Sequence, residues 1–208
     1  FLLGVSLVFF LLRFPSLYEP YWYGDEGIYF TIGKALHQGR ELYTTIWDNK
    51  PPLLYWFYYF FNDLFSIRFV SLLFGIGTVI VFFLLTREFF IKKYLSYVTT
   101  IIFALLLAVP SFEGNIANAE NFMLLPIMLG SLLFWHATKI ISEKEKTTPT
   151  ILRGQRKLLL ASGVSLGIAF LFKTVAIFDF AAFVFFLVYF SYTKTIAVSQ
   201  LWKLIKTN

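Results

Sequence analysis

Apolar residues in this chain fall in long unbroken blocks, without the two-residue alternation of a half-buried strand. The blocks cover residues 1–12, 69–90, 94–109, 122–141, 158–175 and 178–192. At a rise of 1.5 Å per residue, about 20 helical residues cross a hydrocarbon core of roughly 30 Å. Each block therefore predicts a membrane-spanning helix. The first begins inside its own apolar run at Phe1, has no small-residue cleavage site after it and is followed by further blocks, so it reads as the truncated end of a span rather than a signal peptide.

Between the first and second blocks lies the longest polar stretch, residues 13–50, and then an aromatic run, 51–66, interrupted by Asn62 and Asp63. The run is too short to span, and its Trp and Tyr content suits a juxtamembrane helix at headgroup level, where amphipathic rings are favoured. The expected fold is all-α: a polytopic bundle of about six spans forming a single membrane domain over 1–208. Residues 13–66 make a long first extracytoplasmic loop with juxtamembrane helices.

Charge sets the expected orientation. Placing the Lys92-Lys93 turn, the polar loop 142–157 and the tail 194–206 in the cytoplasm gives that side twelve basic and three acidic residues, against six and nine on the other. That bias is the positive-inside pattern. Counting 51–66 as a span would put Lys92 and Lys93 outside, which favours the juxtamembrane assignment. The first loop then shares the extracytoplasmic face with the turns 112–121 and 173–179.

Composition narrows the class further. The chain is 58% hydrophobic and only 14% charged, too little polar surface to cover a soluble globule. The net charge of +6 sits in short clusters between apolar blocks, which is a topology signal and argues against nucleic-acid binding. Cysteine is absent, so disulfides, thiolate metal sites and a Cys nucleophile are excluded. His37 and His136 are isolated and lack metal-ligand spacing.

Chemistry-bearing residues gather in the first loop. Tyr21-Trp22-Tyr23-Gly24-Asp25-Glu26 opens a short amphipathic segment reaching Gly39, and Trp47-Asp48-Asn49-Lys50-Pro51-Pro52 leads into the aromatic run. Transfer onto a hydroxyl needs a carboxylate to take the acceptor proton and a cation to neutralise a departing phosphate. Asp25 suits the first task and Lys50 the second. The same residues also fit plain structural roles: Asp25 as a helix cap, Glu26 as a complement to the helix dipole, Lys50 as an interfacial lysine. The turn 113–121 holds Glu113, Asn118 and Glu120, which suit either substrate contacts or a hydrated turn. Lys173 interrupts an apolar stretch, and it and Arg68 either face a polar partner or snorkel to the interface.

The blocks Tyr-Trp-x-Gly-Asp-Glu-x-x-Tyr at 21–29, Gly-x-x-Leu-Tyr at 39–43 and Trp-Asp-x-Lys-Pro-Pro-Leu-x-Tyr-Trp at 47–56 resemble the first-loop signature of the GT-C glycosyltransferases. Within that superfamily they are similar to the protein-O-mannosyltransferase and aminoarabinose-transferase branch. The sharp motifs occupy about thirty residues, while the order of elements matches over nearly the whole chain. The resemblance implies a catalytic carboxylate at the first position of the Asp-Glu pair, Asp25 with Glu26 beside it, a polyprenyl-phosphate sugar donor, and inversion at the anomeric carbon. It also implies a donor phosphate near Lys50, with Glu113, Asn118, Glu120 and Lys173 as further substrate contacts; in the loop itself, Asp48 and the aromatic Tyr29 are further candidates for substrate binding. Relatives place an acidic or His residue where this chain has Asn49, so no metal ligand is assigned and dependence on a divalent cation stays open.

The expected partners are thus membrane lipid, a polyprenyl-phosphate sugar and a hydroxyl-bearing protein, lipid or glycan acceptor at the outer face of a prokaryotic plasma membrane. A polytopic transporter or lipid-flipping protein, and a non-catalytic relative, are the alternatives. Transporters usually carry their binding groups near the midplane on broken helices, whereas here they cluster in one outer loop.

Overall fold

A computed structural model of the chain describes residues 1–143 and 149–192. Among these residues, eight α-helices run in order: α1 Leu2–Arg13, α2 Gly24–His37, α3 Pro52–Phe60, α4 Leu64–Phe89, α5 Lys93–Ala108, α6 Ala119–Glu143, α7 Pro149–Phe172 and α8 Ile177–Tyr192. Among the described residues there is no β-strand, only an isolated bridge between Leu42 and Ile46. The fold is the all-α bundle that the apolar blocks imply.

Within α4, α6 and α7, the segments Leu64–Phe89, Ala119–Lys139 and Arg153–Phe172 are long and apolar enough to cross a membrane, and three further apolar helices are shorter. The 16 residues of α5 reach only about 24 Å, less than a hydrocarbon core. The aromatic run forms the nine-residue α3, too short to span, as its composition predicts. One sequence expectation is corrected. The polar stretch 142–157 is largely not a loop, because α6 continues to Glu143 and α7 begins at Pro149. Helices extend past the apolar core because their ends reach headgroups and water, and proline is tolerated in a helix's first turn. The tail 194–206 lies outside the described residues.

The helices meet along seams of small and polar residues, as expected where lipid leaves little hydrophobic drive for helix association. On α4 the buried positions Ile67, Arg68, Ser71, Leu72, Gly75, Thr78 and Val79 recur at helical spacing. Gly75 lets the Phe9 ring of α1 sit where a Cβ would lie 2.6 Å from its edge. Between α6 and α7, Ser162 Oγ donates to the Gly130 carbonyl at 2.8 Å.

Four phenylalanines from four helices pack at the end of the bundle that carries α3. Phe57 of α3 lies edge-on to Phe74, Phe122 and Phe172, with ring centres 5.7, 5.3 and 4.9 Å away, and Phe122 stacks on Phe172 at 5.5 Å. This cluster anchors the juxtamembrane helix on the bundle. Because Lys50 lies two residues before the start of α3 and Lys173 immediately follows Phe172, the same packing determines which polar groups meet above it.

Candidate active site

Asp25 lies in the first turn of α2, whose N-cap is Tyr23 without a side-chain capping bond. The cap role open to Asp25 from sequence is therefore not taken up. The half-buried carboxylate instead accepts a hydrogen bond from Tyr29 Oη, 3.1 Å from Oδ2, one helical turn away. Tyr29 is 1% exposed and packs edge-on against Tyr55 and Tyr58. Burial first, and then the Asp25 charge, push its phenol well above the usual tyrosine value, so it stays a hydrogen-bond donor. Near its far end α2 is pressed against α3: a Cβ on Gly33 would lie 2.7 Å from the Tyr58 carbonyl. The helix closes through Gly39 in the left-handed region at φ 79°.

Glu26, the neighbour of Asp25, points the opposite way. Its side chain and that of Arg68 on α4 are both fully buried and paired at 2.6 Å. Arg68 Nε donates to Glu26 Oε1 at 2.9 Å, while Nη1 donates to the carbonyls of Ser16 and Glu19 at 2.7 and 2.6 Å. Glu26 Oε1 also accepts from the Ala117 backbone N–H at 3.0 Å. One ion pair thus joins the loop after α1, the start of α2, the α4 span and the turn before α6. Glu26 carries no oxygen free of these contacts toward the Asp25 side, and Arg68, open in sequence between a partner and the interface, has its partner here.

The loop before α3 is tied down by tyrosines. Tyr55 Oη donates to Asp48 Oδ2 at 2.6 Å, and Asp48 Oδ1 accepts from the Asn49 N–H at 2.7 Å. The Lys50 N–H donates to Tyr55 Oη at 3.2 Å, and Tyr43 Oη donates to the Lys50 carbonyl at 2.7 Å. Burial, followed by its Asp48 bond, raises the Tyr55 phenol above the ordinary range. With Asp48 committed to Tyr55 and the loop backbone, the Lys50 side chain is left half-buried and forms no ion pair among the described residues.

The turn between α5 and α6 closes the site. Gly114 packs so tightly that a Cβ there would fall 2.1 Å from the Leu107 carbonyl oxygen, and Glu113 takes the left-handed region at φ 57°. Glu113 Oε2 accepts from Asn118 Nδ2 at 2.8 Å, and Asn118 Oδ1 in turn accepts from the Ala119 N–H at 2.7 Å as α6 begins. Asn121 Nδ2 donates to the Ile116 carbonyl at 2.8 Å. Glu120 Oε1 pairs with the Lys173 ammonium, and Glu120 Oε2 is buried without a hydrogen-bond partner.

Lys173 sits between α7 and α8 in extended backbone, φ −153°. Burial, then the nearby Lys50 charge, pull its ammonium below the usual lysine value despite the Glu120 contact, while Asp25 and Glu113 oppose the shift. These influences place Lys50, Asp25 and Glu113 in one electrostatic neighbourhood with Lys173. Of the residues singled out from sequence, Asp25, Tyr29, Asp48, Lys50, Glu113, Asn118, Glu120 and Lys173 all belong to this end of the bundle or its supports. Glu26 is enclosed in the packing with its carboxylate on Arg68.

Sequence reasoning missed Tyr43, Tyr55 and Tyr23; burial first, and then the nearby Glu113 carboxylate, raise the Tyr23 phenol above the ordinary value. Tyr29 at four residues from Asp25 was a helical-spacing signal, Tyr43 and Tyr55 stood at fixed positions of the motifs at 39–43 and 47–56, and Tyr23 had only its place in an aromatic-rich loop. Among the described residues, no three His, Asp or Glu side chains form a group able to hold a metal ion.

The Asp25 carboxylate, two lysines and several tyrosines thus gather at one end of a helix bundle whose long helices are apolar enough to cross a membrane. The family model described as dolichyl-phosphate-mannose-protein mannosyltransferase matches residues 45–207, most of the chain, and the protein belongs to that family. The chain is also 26% identical over 183 residues to the undecaprenyl phosphate-alpha-4-amino-4-deoxy-L-arabinose arabinosyl transferase of Wigglesworthia glossinidia brevipalpis. That match covers 82% of this chain and 31% of the relative, so the chain spans about a third of the length of the curated relative it matches. No solved structure matches it.

Proposed function

We propose that the protein is a glycosyltransferase that moves a sugar from a polyprenyl-phosphate donor to a hydroxyl acceptor at the extracytoplasmic face of a prokaryotic plasma membrane. The observation that carries the reading is one carboxylate, Asp25, steadied by the Tyr29 phenol and sharing its neighbourhood with the ammonium groups of Lys50 and Lys173. The acceptor hydroxyl gives its proton to Asp25 as its oxygen bonds to the anomeric carbon. The bond from that carbon to the donor phosphate oxygen breaks, and the electron pair leaves with the phosphate, next to the lysines. A base on one side of the sugar and cations on the other suit a single displacement with inversion.

Membership of the mannosyltransferase family and likeness to an aminoarabinose transferase support the lipid-linked donor. Gathering of the polar groups at one end of the bundle speaks against a midplane transport site. Tyr55 and Asp48 are assigned to holding the Lys50 loop, Glu113 and Asn118 to shaping the acceptor side, and Glu26 to fixing α2. The sugar and the acceptor class follow from experiment. Sugar transfer is measured with the full-length protein in lipid and a panel of polyprenyl-phosphate sugars, for wild type and Asp25→Asn. Loss of about 10² to 10⁴ of the rate with donor binding retained is expected for removal of a general base. A variant as active as wild type would reduce Asp25 to a structural residue.

A further inference from the structure

The reaction just proposed changes the charge on the lipid phosphate. The donor is a phosphodiester and carries one negative charge, whereas the product is a phosphate monoester that approaches a dianion at neutral pH. A site with two fixed, free lysines would hold the product more tightly than the donor and slow its release. In this structure the lysines are not equivalent: Lys50 forms no ion pair among the described residues, whereas Lys173 is paired with Glu120. Glu120 is held by position rather than by a network, since it opens α6 just after Asn118 binds the Ala119 N–H and its second oxygen has no partner. The pair is partly exposed, with Lys173 at 21% and Glu120 at 41%, so water can reach it as it opens.

We infer that Glu120 is an exchangeable counter-ion for Lys173: it holds the ammonium while the singly charged donor is bound to Lys50, gives it up as the leaving phosphate gains its second charge, and takes it back to expel the lipid phosphate. The inference rests on the glycosyl-transfer reading and deepens it by assigning Lys173 to the leaving group and product in preference to the intact donor. An interaction that strengthens as charge develops lowers the barrier, whereas one equally strong beforehand does not. Glu120 provides that difference by competing for Lys173 in the ground state. Its partnerless Oε2 is consistent with a carboxylate that changes partners, in contrast to Glu26, whose oxygens are both engaged.

The test is equilibrium binding of polyprenyl phosphate, the monoester product, to full-length protein in lipid nanodiscs, for wild type, Glu120→Gln, Lys173→Gln and the double variant. Releasing Lys173 from a partly exposed ion pair should tighten monoester binding about 2- to 5-fold in Glu120→Gln. Steady-state turnover should fall in that variant, with product inhibition at lower lipid phosphate. In the Lys173→Gln background the same substitution should change binding little, because the competition has been removed. Weaker or unchanged binding in Glu120→Gln would mean that Glu120 merely positions Lys173, and would overturn the exchange alone. Equal tightening with or without Lys173 would reduce Glu120 to a general repulsion and overturn it as well. Inorganic phosphate competing as well as the lipid would overturn the lipid assignment, and wild type that binds no polyprenyl phosphate would sink both the exchange and the transferase reading.

Discussion

Replacing Glu26 with Gln separates the two residues of the Asp-Glu pair, which sequence alone treats together as catalytic. The side chains of Glu26 and Arg68 are both 0% exposed, and the carboxylate takes bonds from Arg68 Nε and Nη2 at 2.9 and 2.6 Å and from the Ala117 N–H at 3.0 Å. A glutamine keeps the shape but turns one acceptor into a donor facing either the guanidinium or the Ala117 N–H. It also leaves Arg68 charged with no counter-ion. Removing one partner of a buried pair typically costs about 3–5 kcal/mol, because the surviving charge stays desolvated. The loss should appear in thermal unfolding of the protein in lipid nanodiscs followed by intrinsic fluorescence. Replacing both partners by apolar residues of similar volume should recover much of it, since an apolar pair removes the orphaned charge. The reasoning is refuted if Glu26→Gln melts like wild type while losing turnover as steeply as Asp25→Asn. That result would give Glu26 a direct part in the chemistry and make its burial irrelevant to its role.

Tyr29→Phe removes the hydroxyl donated to Asp25 but keeps the buried ring, so thermal stability should stay close to wild type while kcat falls about 10-fold, the worth of a hydrogen bond to a charged group; unchanged kcat would show that Asp25 needs no such partner. Lys173 is shifted below the usual lysine value by burial and then by Lys50, so it is cationic below its folded pKa and neutral above it. Binding of phosphate lipid should therefore be present at lower pH and be lost, as pH rises, earlier than an ordinary lysine would dictate. Lys173→Arg, which keeps its charge throughout, should move that alkaline limb upward in a binding-versus-pH series. Gly33→Ala would drive a methyl to 2.7 Å from the Tyr58 carbonyl and should cost about 1–3 kcal/mol as α2 is pushed off α3; a melting curve matching wild type would mean that the two helices separate freely.

The membrane class, the helical fold and the place of the three long apolar helices were legible in the sequence. Six apolar blocks and an aromatic run too short to cross leave little freedom once lipid is the solvent, because every backbone polar group in the hydrocarbon must be satisfied within its own helix. The first-loop motif also identified Asp25 and Lys50 as residues to watch. Block edges were less certain at the polar stretch 142–157, where helix continues into the headgroups and charge no longer marks the end of structure.

Local pattern could not separate the roles of Asp25 and Glu26. They are adjacent on one helix turn, and about 100° of rotation aims one at Tyr29 and the other at Arg68, 42 residues away in sequence. The direction of that rotation depends on how α2 lies against α3 and α4, and so on Gly33, the tyrosine rings and the Phe57, Phe74, Phe122 and Phe172 cluster. The pairing of Lys173 with Glu120 spans 53 residues and was equally invisible. Periodicity and composition determined that the chain is a membrane helix bundle, because they report on solvent and local backbone. Which charges meet, and which are buried, was decided only by tertiary packing, because contacts between distant residues depend on the whole set of helix interfaces at once.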